Sequence, residues 1–353
     1  MKIVVINAGS SSLKVKLFDT ATRDEVQSYL VEHIGEKGAG VANHHEALES
    51  LEIDFSGVDG VGHRVVHGGE YFSQATLIDE DVVEKLRDLI PLAPLHNPAN
   101  ITGIEVVQSI APELPQVAVF DTAFHTTMPK EAYIYALPQK LSEEYHIRRY
   151  GFHGTSHAYV AREAAKQLKR ELTTLKLITL HLGNGASVCA IQNGKSIDTS
   201  MGFSPLEGLV MGTRCGDIDP EIVLYLQERA NMTPQEVSKL LNKQSGLLGI
   251  SGENDLRELL ARDDADAQLA IDMMVRRIQK YMGGYMALLG DVDAFVFTGG
   301  IGENSELIRE RVLDSKLFCG IKSLVIQTDE ELAIATEVAK LLKKTKKPLD
   351  IIT

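Results

Sequence analysis

Disulfides, membrane spans and positive charge are what this chain has least of. Its cysteines, Cys189, Cys215 and Cys319, are few, odd in number and far apart, which argues against a disulfide framework and makes a reducing cytoplasm the expected setting. No apolar run approaches the ~20 residues of a spanning helix, and the first residues read as a strand rather than as a basic segment followed by a signal core. Thirty-six basic residues face 49 acidic ones, a net charge of −13, which argues against nucleic acid or an anionic membrane as partner. Any anionic ligand must therefore be held by a few local cations. The signatures HEXXH and CxxC, the P-loop spacing G-x-x-x-x-G-K-[ST] and the dinucleotide G-x-G-x-x-G are all missing, and no segment is of low complexity.

What is present is an α/β pattern long enough for two domains, with 44% hydrophobic residues to build their cores. KIVVI leads into Asn7-Ala-Gly-Ser-Ser-Ser-Leu-Lys14, and LKVKLFD alternates after it, so the polar loop joins two strands. LKLITLHLGNGASVCAIQNGKSID, about halfway along the chain, repeats strand, Gly/Asn/Ser turn and strand. The pair suggests an internal duplication, with two ordinary hairpins as the alternative. IDEDVVEKLRDLI reads as a helix capped by Asp79 and stopped by Pro91. TPQEVSKLLNK reads as one with a capping box of Thr233 and Glu236. PQVAVFD reads as a strand buried on both faces, which puts Asp121 at a carboxyl end, where open α/β sheets bind ligands. In the long amphipathic stretch from Asp266 to Gly290, Met273, Met274 and Met282 read as core filler. DAFVFTGGIGENSELIRERVL reads as strand, glycine turn and helix, and KLLKKTKKP as the basic last turn of a helix.

Three glycine turns, at 7–14, 181–187 and 299–304, together fit backbone N–H groups surrounding phosphates in a cleft between two domains. Phosphoryl transfer also needs cations, and GHRVVHGGE and MGTRCGDIDP offer Arg64 and Arg214 among glycines that let anions approach. Arg276 and Arg309 lie in charged helices and read as solvated. Of the clustered histidines, His63, His67 and His157 read as core hydrogen-bonding groups. His96, His125, His153 and His181 sit in unusual loops, where donation to a phosphoryl group is a better use than zinc binding. Cys215 has no base beside it in sequence to make it a nucleophile.

The motifs NAGSSSLK, HRVVHGGE, LAPLHNP, VFDTAFH, YGFHGTSH, HLGNGAS, MGFSPLEGL, MGTRCGDIDP, TGGIGEN and TDEELAIA, in this order from residue 3 to about residue 340, resemble the acetate kinase family of the acetate and sugar kinase/Hsp70/actin superfamily. The resemblance implies two similar domains of a duplicated actin-like ATPase (ribonuclease H-like) fold around an interdomain active-site cleft. One domain would comprise residues 1–124 plus 331–353, the other residues 125–330. It implies reversible transfer from ATP to acetate, giving acetyl phosphate and ADP, directly and in line, with Mg²⁺ or alternatively Mn²⁺, in a homodimer. Asp121, His153 and Arg214 would be catalytic. Arg64 would hold the substrate carboxylate beside an apolar pocket of Val66, Leu95, Phe152 and Pro205. Lys14, His181, Leu182, Gly183, Asn184, Gly185, Asp255, Leu256, Arg257, Gly300, Ile301, Gly302, Glu303 and Asn304 would bind ATP. Asn7 and Glu330 would serve the metal, with Glu331 the competing carboxylate. The segments 19–60 and 320–327 are short for the family but lie outside its motifs. Propionate or butyrate kinase is the alternative within this chemistry, and an actin- or Hsp70-like ATPase the alternative outside it.

Overall fold

The computed structural model describes residues 1–9, 12–35, 40–94 and 96–345. The chain divides into two compact units, Met1–Phe124 with Asp329–Thr353, and His125–Thr328.

The first unit is built on a sheet ordered β3-β2-β1-β4-β6-β5, from β1 (Lys2–Ala8), β2 (Leu13–Asp19), β3 (Asp24–Val31), β4 (Gly60–Val65), β5 (Thr76–Leu77) and β6 (Gln116–Phe120). β1 and β2 form an antiparallel hairpin closed by the Gly9 N–H donating to Ser12 O at 2.8 Å, while β4 runs parallel to β1 and β6 parallel to β4. The period of two along β1 sends Ile3 and Val5 to one face and Val4 and Ile6 to the other. The Ile3 face is covered by helix Glu330–Thr345 through Leu332, Ile334, Ala335, Val338 and Leu342. Gly60 and Gly62 allow this close approach: a Cβ at Gly60 would stand 2.5 Å from Leu342 Cδ1, and one at Gly62 2.7 Å from Val338 Cγ2. The opposite face packs on Leu48, Val106 and Val107 from helices His44–Ser50 and Asn97–Ile110.

The second unit repeats the scheme. Its sheet runs β11-β10-β7-β8-β9, from β7 (Lys176–Leu182), β8 (Ala186–Gln192), β9 (Lys195–Thr199), β10 (Ala294–Thr298) and β11 (Lys322–Val325). β7 and β8 form an antiparallel hairpin, and β10 and β11 follow in parallel, as β4 and β6 follow β1. The two polar turns thus occupy equivalent hairpin positions, which is the expected duplication.

Locally, the capping box of Thr233 and Glu236 forms, and Asp79 caps helix Glu80–Asp88. Three readings change. GGIGEN is a helix, Gly299–Asn304, rather than a turn, because Glu303 Oε1 accepts from the Gly299 N–H (2.9 Å) and the Thr298 hydroxyl (3.1 Å) at its start. Arg309 is not merely solvated: its Nη1 donates to the carbonyls of Gly302 (3.0 Å) and Glu303 (2.9 Å), satisfying groups at the helix end. In helix Ala265–Leu289, Met274 and Met282 are buried but Met273 is 39% exposed, so the core-filler reading fails for Met273. The basic helix end is seen as far as Thr345, with Lys343 and Lys344 in its last turn; residues 346–353 lie outside the described residues.

Candidate active site

In the first unit the carboxyl ends of β4 and β6 bring Arg64 and Asp121 together. Asp121 follows the last residue of β6, is 2% exposed, and takes Arg64 Nη2 on Oδ2 at 2.5 Å and Arg64 Nε on Oδ1 at 3.3 Å. Arg64 Nη1 donates to Asn7 Oδ1 at 3.1 Å, from the end of β1, and Nε lies 3.8 Å from Glu330 Oε2. Burial works against the guanidinium's charge, but Asp121 and Glu330 outweigh it and its pKa rises. The start of helix Glu330–Thr345 supplies the other two acids, both drawn to a positive helix end. Glu331 accepts from Lys14 Nζ at 3.1 Å and from Asn7 Nδ2 at 3.2 Å; burial pushes its pKa up, but Lys14 and Asn7 bring it below the usual value. Glu330 is pushed up to about 7, chiefly by burial, with Arg64 opposing and Asp121 and Glu331 adding to the rise. The two neighbouring glutamates are therefore unlike: Glu331 is tied up and ionised, and Glu330 is burdened by its own charge.

Val66 follows β4, is buried, and has its N–H held by Asn100 Oδ1 at 3.1 Å, while Asn100 Nδ2 donates to Ala8 O at 2.8 Å. Leu95 lies outside the described residues. His63 and His67 are buried structural groups: His63 Nε2 donates to Gln116 Oε1 at 2.6 Å, and His67 Nδ1 accepts from the Gly69 N–H at 3.0 Å. Burial lowers both to about 4, so they are neutral at pH 7.

In the second unit His153 takes the left-handed conformation, φ 56°, at the start of helix Gly154–Leu168. Its ring stacks on His181 at 4.2 Å between centroids, and its Nδ1 meets Ser187 Oγ at 2.9 Å. His157, buried behind them, bonds Thr179 and Ser187 (2.7 and 2.8 Å) and is kept neutral by desolvation and by His125 and His181. His125 Nε2 donates to Phe152 O at 2.9 Å, which ties buried Phe152 in place. Arg214 Nη1 donates to Pro205 O at 3.1 Å. Among the described residues no carboxylate pairs with Arg214, and burial lowers its pKa. Arg214 and His153 converge on Gly185: a Cβ there would stand 3.3 Å from Arg214 Nη1 and 3.6 Å from His153 Nε2.

Beside Gly185 opens a cavity of about 540 Å³, a volume suited to a nucleoside, wholly within the second unit. Leu182, Gly183, Asn184, Asp255, Leu256, Arg257, Gly300, Ile301 and Asn304, all assigned to ATP from the sequence, line it. Of the other residues assigned to ATP, Lys14 is in the first unit on Glu331, His181 is under His153, and Gly185, Gly302 and Glu303 do not contribute walls. Asp255 and Arg257 are joined to each other at 2.6 Å beside the cavity. Sequence reasoning missed Val210, Met211 and Gly212, and also Met274 and Ile278. The first three lie just before Thr213-Arg214, a usable signal; the last two lie one helical turn apart on a face that looks like core.

Residues 2–347 match the acetokinase family profile. An acetate kinase of Sulfurimonas denitrificans is 50% identical over 388 aligned positions, spanning 97% of this chain and 100% of that protein. Among solved structures, Porphyromonas gingivalis acetate kinase superposes with a TM-score of 0.91 at 39% identity, over 97% of this chain and 99% of that one. A propionate kinase from Francisella tularensis subsp. tularensis SCHU S4 gives 0.90 at 43%, over 95% and 98%. The duplicated α/β architecture, the motifs at its strand ends and matches of this length have one reading: the chain belongs to the acetokinase family.

Proposed function

We propose that this protein is an acetate kinase, catalysing ATP + acetate ⇌ ADP + acetyl phosphate by direct in-line transfer. The observation that carries the reading is Arg214: a guanidinium with no carboxylate against it among the described residues, converging with His153 on Gly185, whose neighbours Asn184 and Ala186 line a nucleotide-sized cavity. Such a cation, in a chain of net charge −13, is suited to receive the charge spread over a transferring phosphoryl group.

An acetate oxygen attacks the γ-phosphorus, the bond from that phosphorus to the bridging oxygen breaks, and the electron pair leaves with ADP. Acetate is already ionised at neutral pH, so no base is required. Asp121, fixed by the Arg64 fork, orients that arginine and places charge, and Arg64 keeps N–H groups on Nη1 and Nη2 for the substrate carboxylate. His153 and Arg214 stabilise the moving phosphoryl group. Val66, beside Arg64, provides apolar surface for the methyl group, and the cavity takes the adenosine.

Mg²⁺ fits the donor set as a companion of the phosphates: Asp121, Glu330 and Glu331 outnumber Arg64 and Lys14, and a cation would relieve the burdened Glu330. Among the described residues no cluster forms a ready protein cage, so the ion would arrive with ATP, served by Asn7 and Glu330 rather than by Glu331. When bound, it neutralises phosphate charge. A cytoplasmic setting is supported by the three free cysteines and by the absence, among the described residues, of any helix long and apolar enough to cross a membrane. A homodimer is supported by helix Glu221–Arg229, which buries none of its side chains and exposes Ile222, Leu224 and Tyr225.

The Francisella relative makes propionate the second acid to try. The test is hydroxylamine trapping after mixing protein, MgATP and acetate, propionate or butyrate. Acetohydroxamate as the main product is expected. ATP hydrolysis with no hydroxamate would replace the reading with that of a plain ATPase.

A further inference from the structure

The loop from Thr199 to Gly208 carries Pro205, whose carbonyl is the fixed point for Arg214, and the fastening of that loop is unusually complete. Arg149 Nη1 donates to the carbonyls of Thr199, Ser200 and Met201 at 3.1, 3.4 and 3.1 Å. Its Nη2 donates to Glu207 Oε1 at 2.6 Å, and Glu207 Oε2 accepts the Tyr135 hydroxyl. The same Tyr135 oxygen accepts the Phe203 N–H at 2.8 Å. At the far end the Gly208 N–H donates to Asp217 Oδ1 at 2.8 Å, and Arg277 Nη1 donates to Gly208 O at 2.9 Å.

Inside this frame Gly202 has no room for a side chain, since a Cβ would overlap Glu207 Oε2 and the Tyr135 oxygen. The Gly202 carbonyl in turn accepts the N–H groups of Tyr150 (3.0 Å) and Gly151 (3.2 Å), just before Phe152 and His153. One loop therefore holds both groups that converge on Gly185: Arg214 through Pro205, and His153 through the backbone at Tyr150 and Gly151.

We propose that Glu207, clamping Arg149 and Tyr135, is a positioning residue that sets the aim of Arg214 and His153 without touching substrate. This rests on the phosphoryl-transfer reading above. The frame is charged and half-buried, with Arg149 and Glu207 side chains 16% and 30% exposed, so its geometry is held by directed bonds rather than by packing alone. A small displacement of a charge-stabilising donor is costly because its effect depends on where the developing charge stands.

The test uses Tyr135→Phe, which removes one oxygen and no volume, and Glu207→Gln, each alone and combined with Arg214→Ala in the full chain. Each single variant should lower kcat at least tenfold while leaving the equilibrium affinity for ATP, measured without acetate, within twofold, since neither residue lines the nucleotide cavity. In the Arg214→Ala background the same substitutions should cost at least threefold less than they do alone, because one of the two groups they aim is gone. Full additivity with Arg214→Ala, or an unchanged kcat in Tyr135→Phe, overturns the proposal. If Glu207→Gln fails to fold, Tyr135→Phe alone decides. Wild-type hydroxamate formation is measured alongside, so failure of the kinase reading is distinguished from failure of the positioning role.

Discussion

Arg64 grips Asp121 at two points, Nη2 on Oδ2 at 2.5 Å and Nε on Oδ1 at 3.3 Å, whereas Arg214 bonds, among the described residues, the Pro205 carbonyl and the Met211 thioether. The two arginines should therefore fail differently when removed. Arg64→Ala leaves Asp121, 2% exposed, without its cation beside Glu330, and breaking such a buried pair costs about 3–5 kcal/mol of stability. Arg214→Ala removes a desolvated charge with no carboxylate partner among the described residues, so stability should hold or rise, while kcat falls by about 10²–10³ as for other preorganised donors. Urea unfolding and steady-state rates on both variants test this. An Arg64→Ala protein as stable as wild type, or an Arg214→Ala enzyme within tenfold of wild-type kcat, contradicts the assignment.

Glu330 gives the first unit a pH dependence of definite sign. Its carboxyl titrates at about 7 when folded against an ordinary 4.5, so between these values the folded state binds more protons than the unfolded one. Stability contributed at this site is then highest below pH 4.5, declines as pH rises through the window, and is lower by up to roughly 3 kcal/mol above it. Glu330→Gln removes the titration, so its stability relative to wild type should increase from pH 5 to pH 7.5 in the absence of nucleotide and metal. A flat difference across that range would show that Glu330 is ionised throughout.

The convergence of Arg214 and His153 on Gly185 can be probed without touching either. A methyl group at Gly185 would stand 3.3 Å from Arg214 Nη1 and 3.6 Å from His153 Nε2, a tight fit but no overlap, and Gly185 is not among the glycines with positive φ. Gly185→Ala should therefore fold normally and lose at least tenfold in kcat, because the methyl group takes the place of the anion both side chains face. Rates within twofold of wild type would mean that the phosphoryl group passes elsewhere.

Much of this was readable beforehand where local chemistry decides the outcome. The alternation in KIVVI and LKVKLFD, the capping box at Thr233 and the apolar run ending at Asp121 all depend on neighbours in sequence. What was not readable depends on partners far along the chain. Glu331 is distinguished from Glu330 only by Lys14 and Asn7, more than 300 residues away. GGIGEN is helical because Glu303 caps its start and Arg309 binds its end, which glycine content alone does not reveal. Met274 looks like core filler because a cavity wall and a core present the same apolar face to a periodicity argument.

Substrate choice is the sharpest remaining question, since an acetate kinase and a propionate kinase both share this fold at similar identity to this chain. Val65 ends β4 inside an apolar cluster with Phe72 and Leu86, so by the alternation of the strand Arg64 and Val66 take the other side. Val66 is 7% exposed, and Asn100 holds its N–H, so it is a fixed obstacle near the group that would bind the carboxylate. A β-branched side chain there should accommodate a methyl group and little more. One methylene in an apolar pocket is worth only about 1–3 kcal/mol, so wild type should prefer acetate, use propionate detectably and butyrate poorly. Val66→Ala should raise kcat/KM for propionate relative to acetate by about tenfold, on the same scale. The comparison is made on one preparation by hydroxamate formation across the three acids. A wild type that already prefers propionate, or a ratio unmoved by Val66→Ala, would place the depth of the acid pocket on residues other than Val66.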